Sequence, residues 1–164
     1  MAALAQRVKG QAATLLARLD AMVALDEAVL AASAEPLAGE LVAVGEKVLE
    51  AWLAARDAAP TQRQVEGFRL LALHRQGARG DPSFNACRES CRELVYRTNC
   101  ARLAEEPADA ARELRLAAMV ARHLVLFIDG KLENAGLGEF CCSSRPLRQT
   151  VAALPATAGD QTGA

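Results

Sequence analysis

Apolar side chains recur at steps of three and four residues along most of this chain, a spacing that places them on one side of an α-helix. Alanine and leucine dominate, and both enter helices at little cost in free energy. Aromatic residues make up only 4% of the sequence, so residues that favour strands are scarce. The pattern predicts an all-α protein, an antiparallel bundle of about five helices with a short C-terminal tail.

Prolines, glycines and capping residues divide the pattern into five predicted helices. Pro60 ends the second, and Thr61 with Gln64 forms a capping-box pattern that opens the third. The predicted ranges are residues 3–31, about 36–59, 61–77, 82–104 and 107 to 130–134. One further short segment is expected at 146–154. We therefore expect a single domain over residues 1–154, followed by a flexible tail at 155–164.

The apolar stripes identify the expected core. We expect the sole tryptophan, Trp52, to anchor that core. The first, second and fifth helices present the stripes Leu4, Val8, Leu15, Leu19, Met22 and Val29; Leu37, Leu41, Val44, Val48 and Trp52; and Leu114, Ala118, Ala121, Val125 and Ile128.

Charge is unevenly distributed, although the net charge is only −1. Residues 60–104 carry eight arginines against four acidic residues. The simpler interpretation is that these arginines form a solvated helix face. The alternative is that they attract an anion or an acidic partner. No aromatic residues alternate with the basic ones, so we do not expect nucleic acid as a partner.

Several features bear on the compartment. The sequence contains no stretch of about 20 apolar residues, so we predict no membrane span. The N-terminus lacks acidic residues until Asp20, but its amphipathic pattern continues past residue 30 and favours a bundle helix over a targeting segment. Five cysteines without a secretion signal predict free thiols and a cytoplasmic location. The preference for arginine over lysine, together with the alanine content, is typical of a GC-rich bacterial genome.

All five cysteines lie beyond residue 86. Cys87 and Cys91 stand four apart on the fourth predicted helix, so both thiols share one face, about 6 Å apart. That face also holds Phe84, Leu94 and Thr98 and is expected to point inward. Cys100 belongs to another face, and Cys141-Cys142 are adjacent in a segment expected to be non-helical.

One hypothesis assigns these thiols to a metal site. Two thiolates on one helix face are suitable ligands for a soft ion, and Zn²⁺ or Cu⁺ fits them. A histidine would add a nitrogen, with His74 as the alternative to His123. The predicted metal ligands are Cys87, Cys91, Cys141, Cys142 and His123.

A second hypothesis is redox sensing, through a disulfide between Cys91 and either Cys141 or Cys142. We do not expect Cys87 and Cys91 to bond to each other, because a helix holds their Cβ atoms too far apart. A third interpretation is plain packing, since free cysteine is among the most buried residue types.

The remaining polar residues suggest no catalytic group, so whether the protein is an enzyme is left undecided. His74 is expected at the surface, favoured by the C-terminal end of its helix, and Tyr96 with Asn99 as a buried hydrogen-bonding pair. The sequence therefore predicts a small regulatory or accessory protein with a cysteine-based metal or redox site. The alternative is an interaction or structural bundle that binds a protein partner or forms a homodimer.

Overall fold

A computed structural model describes the backbone of residues 2–134 and the side chains of residues 10–134. Within this range the chain forms six α-helices and one 3-10 helix, and no strand. The α-helices are α1 (Ala2–Val23), α2 (Glu27–Ala32), α3 (Ala34–Ala55), α4 (Arg69–Gly77), α5 (Arg88–Leu103) and α6 (Pro107–Glu133), and the 3-10 helix is Pro82–Cys87.

The all-α prediction is confirmed. Helix α6 is the central element and contacts α1, α2, α3 and α5. Its buried face is rich in alanine, which allows neighbouring helices to approach closely. The antiparallel arrangement stays a prediction, and the expected segment at 146–154 and tail at 155–164 lie outside the described residues.

Among residues 2–134, no helix combines the length and the apolar character that crossing a membrane requires.

The predicted first helix is broken, because residues 24–26 separate α1 from α2. Arg115 of α6 explains the break: its guanidinium donates to the carbonyl oxygens of Val23 and Leu25, at 3.4 and 2.9 Å. These carbonyls lack partners within the helix at its C-terminal end, so a distant side chain satisfies them. The apolar stripe continues across this break, which is why the sequence suggested one helix.

The predicted start of the third helix at Thr61 is wrong. Residues 56–68 form an irregular connection, and α4 begins only at Arg69. Val65 and Phe68 exchange two backbone hydrogen bonds around Glu66-Gly67, whose φ angles are 53° and 83°. Glycine adopts this left-handed region readily, so Gly67 supports a tight turn where a helix was expected.

The core stripes of the second and fifth predicted helices are confirmed, and all ten residues are buried. Trp52 is 2% exposed and anchors the core as expected. In the first stripe Leu15, Leu19 and Met22 are buried, but Val29 is 46% exposed and that assignment is wrong. The side chains of the stripe's first two members lie outside the described residues.

The fourth predicted helix is two elements. Pro82–Cys87 is a 3-10 helix, and α5 begins at Arg88. Cys87 has φ −94° and ψ 0°, so it sits at the junction and not inside an α-helix. Cys91, Leu94 and Thr98 are buried as predicted, with Phe84 and Cys87.

Candidate thiol site at the start of helix α5

Phe84 is the centre of the candidate site and is fully buried. Its ring stacks on Trp52 with centroids 5.3 Å apart and on His74 at 5.7 Å, and it meets Phe127 edge-on at 6.0 Å. Such pairs each stabilise a fold by about 0.5–1.5 kcal/mol beyond burial. Gly77 makes room for them, because a Cβ there would lie 3.1 Å from Phe84 and 3.2 Å from Trp52.

A buried ionic group fixes the 3-10 helix to α6. Lys131 Nζ lies 2.8 Å from Asp81 Oδ2 and donates to Ser83 Oγ at 2.5 Å, and Ser83 donates to Asp81 Oδ1 at 2.5 Å. The Lys131 ammonium also lies 5.1 Å from the centre of the Trp52 ring. Burying these charges is tolerated because each has a partner of opposite charge or a hydrogen bond.

Two side chains converge on the Phe84 carbonyl oxygen. Cys87 Sγ donates to it at 3.1 Å, and His74 Nε2 lies 3.0 Å from it. Since a carbonyl oxygen only accepts, Nε2 carries a proton. The Cys87 thiol is also hydrogen-bonded to the side chains of Cys91 and His74. Cys87, Cys91 and His74 therefore form one buried hydrogen-bonded cluster, which we call the thiol cluster.

The thiol cluster separates the acidities of its two sulfurs. A hydrogen bond from Cys91 and another from His74 lower the pKa of Cys87 to about 6, against the opposing effect of burial. The same Cys91–Cys87 hydrogen bond, together with burial, raises the pKa of Cys91. Burial acts to lower the pKa of His74, but hydrogen bonds to Cys87 and to the Phe84 carbonyl outweigh it and raise the pKa.

The surface position predicted for His74 is wrong, since the residue is 5% exposed. The prediction that His74 lies near the C-terminal end of its helix is confirmed. However, the chain folds back through residues 78–84 and covers the imidazole with the Phe84 ring. No local pattern signals this cover, which depends on Asp81 and Ser83 meeting Lys131 from a helix almost 50 residues away.

The predicted metal ligands are only partly brought together. Cys87 and Cys91 are adjacent, both fully buried and both free thiols. His123 is exposed and lines a groove between α5 and α6, on the surface and not in the buried cluster. Cys141 and Cys142 lie outside the described residues. Within residues 2–134, no three His, Cys, Asp or Glu side chains form a group that could hold a metal ion. The five-ligand set stays a prediction.

The groove between α5 and α6 has a volume of about 610 Å³. Tyr96 and Met119 line it and are 58% and 61% exposed. The expected buried pair of Tyr96 and Asn99 is therefore wrong; Tyr96 is instead hydrogen-bonded to the half-buried Cys100, which raises the pKa of its hydroxyl. Arg97 pairs with Glu93, as the four-residue spacing predicts, at 2.7 Å.

No protein-family model matches the chain, and neither a curated protein nor a solved structure shows significant similarity to it.

Proposed function

We propose that this protein is a small thiol-based regulatory protein in which Cys87 and Cys91 change between a dithiol and a disulfide. The observation that supports the proposal is the thiol cluster itself: two sulfurs and an imidazole are hydrogen-bonded at the junction of the 3-10 helix and α5. Packing alone does not require a histidine beside the two sulfurs.

The two cysteines have different roles in the proposed reaction. Cys87, as thiolate, attacks one sulfur of an external disulfide, forms a mixed disulfide and releases the other half as a thiolate. Cys91 then loses its proton to that released thiolate and attacks Cys87, which forms the Cys87–Cys91 bond and releases the second half. The protein loses two electrons, and the external disulfide is reduced by two.

Bond formation requires the 3-10 helix to move. Side chains four apart on a helix have Cβ atoms about 5–6 Å apart, whereas a disulfide needs about 3.5–4.5 Å. The expectation that these two cysteines do not bond assumed one continuous helix, whereas Cys87 lies at the junction before α5.

In the proposal the end of the 3-10 helix shifts, while Asp81 and Ser83 at its start stay bound to Lys131. The shift breaks the hydrogen bond from Cys87 to the Phe84 carbonyl. Because Phe84 stacks on Trp52, the oxidation state would be transmitted to the aromatic core.

The test is native oxidation followed by peptide mapping. Folded protein is treated with bis(2-hydroxyethyl) disulfide, a neutral probe, then alkylated and digested. Trypsin cleaves after Arg88, between the two cysteines, so the expected bond joins peptides 80–88 and 89–92. Trp52 is the only tryptophan, and its fluorescence should change as the bond forms and recover on reduction.

Two variants make the test specific. Cys91→Ser should stop at a mixed disulfide on Cys87, because the thiol of the cluster that would displace the bound half has been removed. Cys100→Ser, which changes a free cysteine outside the cluster, should leave the linked peptides and the fluorescence change intact. Reduced Cys87 and Cys91 after prolonged native treatment would show that they only pack the core.

The groove between α5 and α6 supports a second candidate function, the binding of a protein partner. Its exposed tyrosine and methionine are residue types enriched at interfaces. Glu89, Glu93, Arg92 and Arg97 line it with both signs of charge, which suits a second copy of the chain across a twofold axis. Sedimentation should then show a dimer that Met119→Glu disrupts, whereas Leu103→Glu, an exposed leucine outside the groove, should not. A monomer at all concentrations would rule out the homodimer.

A further inference from the structure

A cavity of about 240 Å³ adjoins the thiol cluster. His74 lines it together with Arg75, Asn85, Arg88 and Arg92, and no carboxylate among residues 10–134 does. His74 Nε2 and Cys87 Sγ both contact the Phe84 carbonyl oxygen, at 3.0 and 3.1 Å, so the cavity adjoins the sulfur through the imidazole. The three arginines belong to the basic segment 60–104 that the sequence singled out.

Positive charge in the cavity is only partly neutralised. Arg92 is paired with Glu66 at 2.7 Å. In the described part of the chain the one ion pair of Arg88 is with its neighbour Glu89, at 3.1 Å. Both side chains are more than 60% exposed, where such pairs are weak. Arg75 has no ion pair among the described residues. Arg88 and His74 line the same cavity, and the positive charge of Arg88 acts to lower the pKa of His74.

We infer that this cavity binds the charged end of a small disulfide that carries carboxylates, and so selects the oxidant of the thiol cluster. The inference rests on the proposed dithiol–disulfide function and names its substrate class. The volume is below the roughly 300–1,000 Å³ of ordinary ligand pockets, so it accommodates part of such a molecule. Arg75 and Arg88 bind the carboxylates, and Asn85 offers an amide donor.

Cys87 is fully buried and does not line the cavity, whereas Asn85 of the 3-10 helix does. The shift of the 3-10 helix that the Cys87–Cys91 bond requires must therefore also expose Cys87 to the bound disulfide. Cys87 forms a bond to one sulfur, and the sulfur–sulfur bond of the oxidant breaks. The outgoing thiolate leaves with its own half of the molecule and takes the proton of Cys91 in the second step. No other oxidant is required.

The experiment compares three disulfides of different charge. Glutathione disulfide is anionic, bis(2-hydroxyethyl) disulfide is neutral and cystamine is cationic. Each reacts with Cys100→Ser/Cys141→Ser/Cys142→Ser protein, which retains only the Cys87–Cys91 pair. Samples are quenched with acid and weighed by mass spectrometry. We expect the anionic probe to react about tenfold faster than the neutral one at low salt, and cystamine to be slowest. This preference should decline with added salt.

Charge removal tests the site itself. Arg75→Gln with Arg88→Gln should slow the reaction with glutathione disulfide about tenfold, to the rate that the same variant shows with the neutral probe, so that the preference for the anionic disulfide is lost. Arg63→Gln with Arg79→Gln is the matched control: it removes two exposed arginines that do not line the cavity, and the preference should persist.

The outcomes separate the two proposals. Equal rates with all three probes, or a preference that survives Arg75→Gln with Arg88→Gln, would overturn the cavity inference and leave the thiol function standing. No reaction with any probe would overturn the thiol function.

Discussion

Two parts of the core are built on different principles. The seam between α6 and α1, α2 and α3 is almost wholly apolar, with residues such as Ala117, Ala121 and Leu124 fully buried. Around Phe84, by contrast, buried His74, Asp81, Ser83 and Lys131 share the interior with two thiols. The stability of the seam depends on the apolar area removed from water, which changes little when side chains are rearranged slightly. The stability of the Phe84 region depends on each buried polar group having its hydrogen-bond or charge partner, so it is sensitive to small changes in geometry.

The largest expected effect comes from breaking the buried ionic group. Lys131→Ala leaves Asp81, which is 0% exposed, without its closest cation and removes a cation from the Trp52 ring. Breaking a buried pair by removing one partner costs about 3–5 kcal/mol. We expect a loss in that range in the free energy of unfolding by urea.

Two further variants sharpen this result. Lys47→Ala, an exposed lysine on α3, should change stability by less than about 0.5 kcal/mol. Asp81→Asn with Lys131→Met should lose less than Lys131→Ala alone, because no buried carboxylate is left without its closest cation. If Lys131→Ala were as mild as Lys47→Ala, the distinction between the two parts of the core would fail.

The same contrast decides what the sequence could predict. The stripes of α3 and α6 were predictable residue by residue, because helical period alone determines which side chains face a neighbour. The break between α1 and α2 was not, since it depends on Arg115 reaching back about 90 residues. In the site, the shared face of Cys87 and Cys91 followed from their spacing. The participation of His74 did not, because its burial depends on the path of residues 78–84. An Asp-Pro-Ser run could signal a turn there, but nothing local points to Lys131.

A medium effect is expected from filling the space that Gly77 leaves. Gly77→Ala places a methyl group 3.1–3.2 Å from two rigid stacked rings. Overpacking of this kind costs about 1–3 kcal/mol, and the helix-forming preference of alanine offsets up to about 1 kcal/mol of it. We expect a net loss of about 1 kcal/mol and altered Trp52 fluorescence.

Gly130→Ala is the matched variant on α6, because no atom of the described part of the chain lies within 4 Å of its added Cβ. It should stabilise the protein by about 0.5–1 kcal/mol and leave the fluorescence unchanged. Equal effects at the two glycines would indicate that the aromatic stack is no more rigid than the open helix surface.

The smallest expected effect is a change in the titration of His74. In the native protein its pKa is raised, because the hydrogen bonds to Cys87 and the Phe84 carbonyl together outweigh burial. Stability from this source is fully present below the unfolded pKa of about 6.5 and declines as pH rises through the folded value. The lowered pKa of Cys87 acts oppositely, adding stability as pH rises from about 6 towards its ordinary value of 9.0. Because the two contributions have opposite signs, the pH dependence of the free energy of unfolding does not resolve either group. The titration of the His74 ring therefore has to be measured directly.

Cys87→Ala separates the two contributions. This substitution removes the main cause that raises the pKa of His74. Burial and the charge of Arg88 then still lower this pKa, and only the hydrogen bond to the Phe84 carbonyl still raises it. Because burial is the largest of these, the direction should reverse, and NMR titration of the ring should show His74 titrating below 6.5. The ring signals of His123, on the exposed face of α6, report whether the substitution disturbs the fold elsewhere. If His74 titrates alike in both proteins while His123 is unperturbed, the imidazole is a core residue held by Phe84 alone. The polar region would then resemble the apolar seam, in which side chains pack without acting on one another's chemistry.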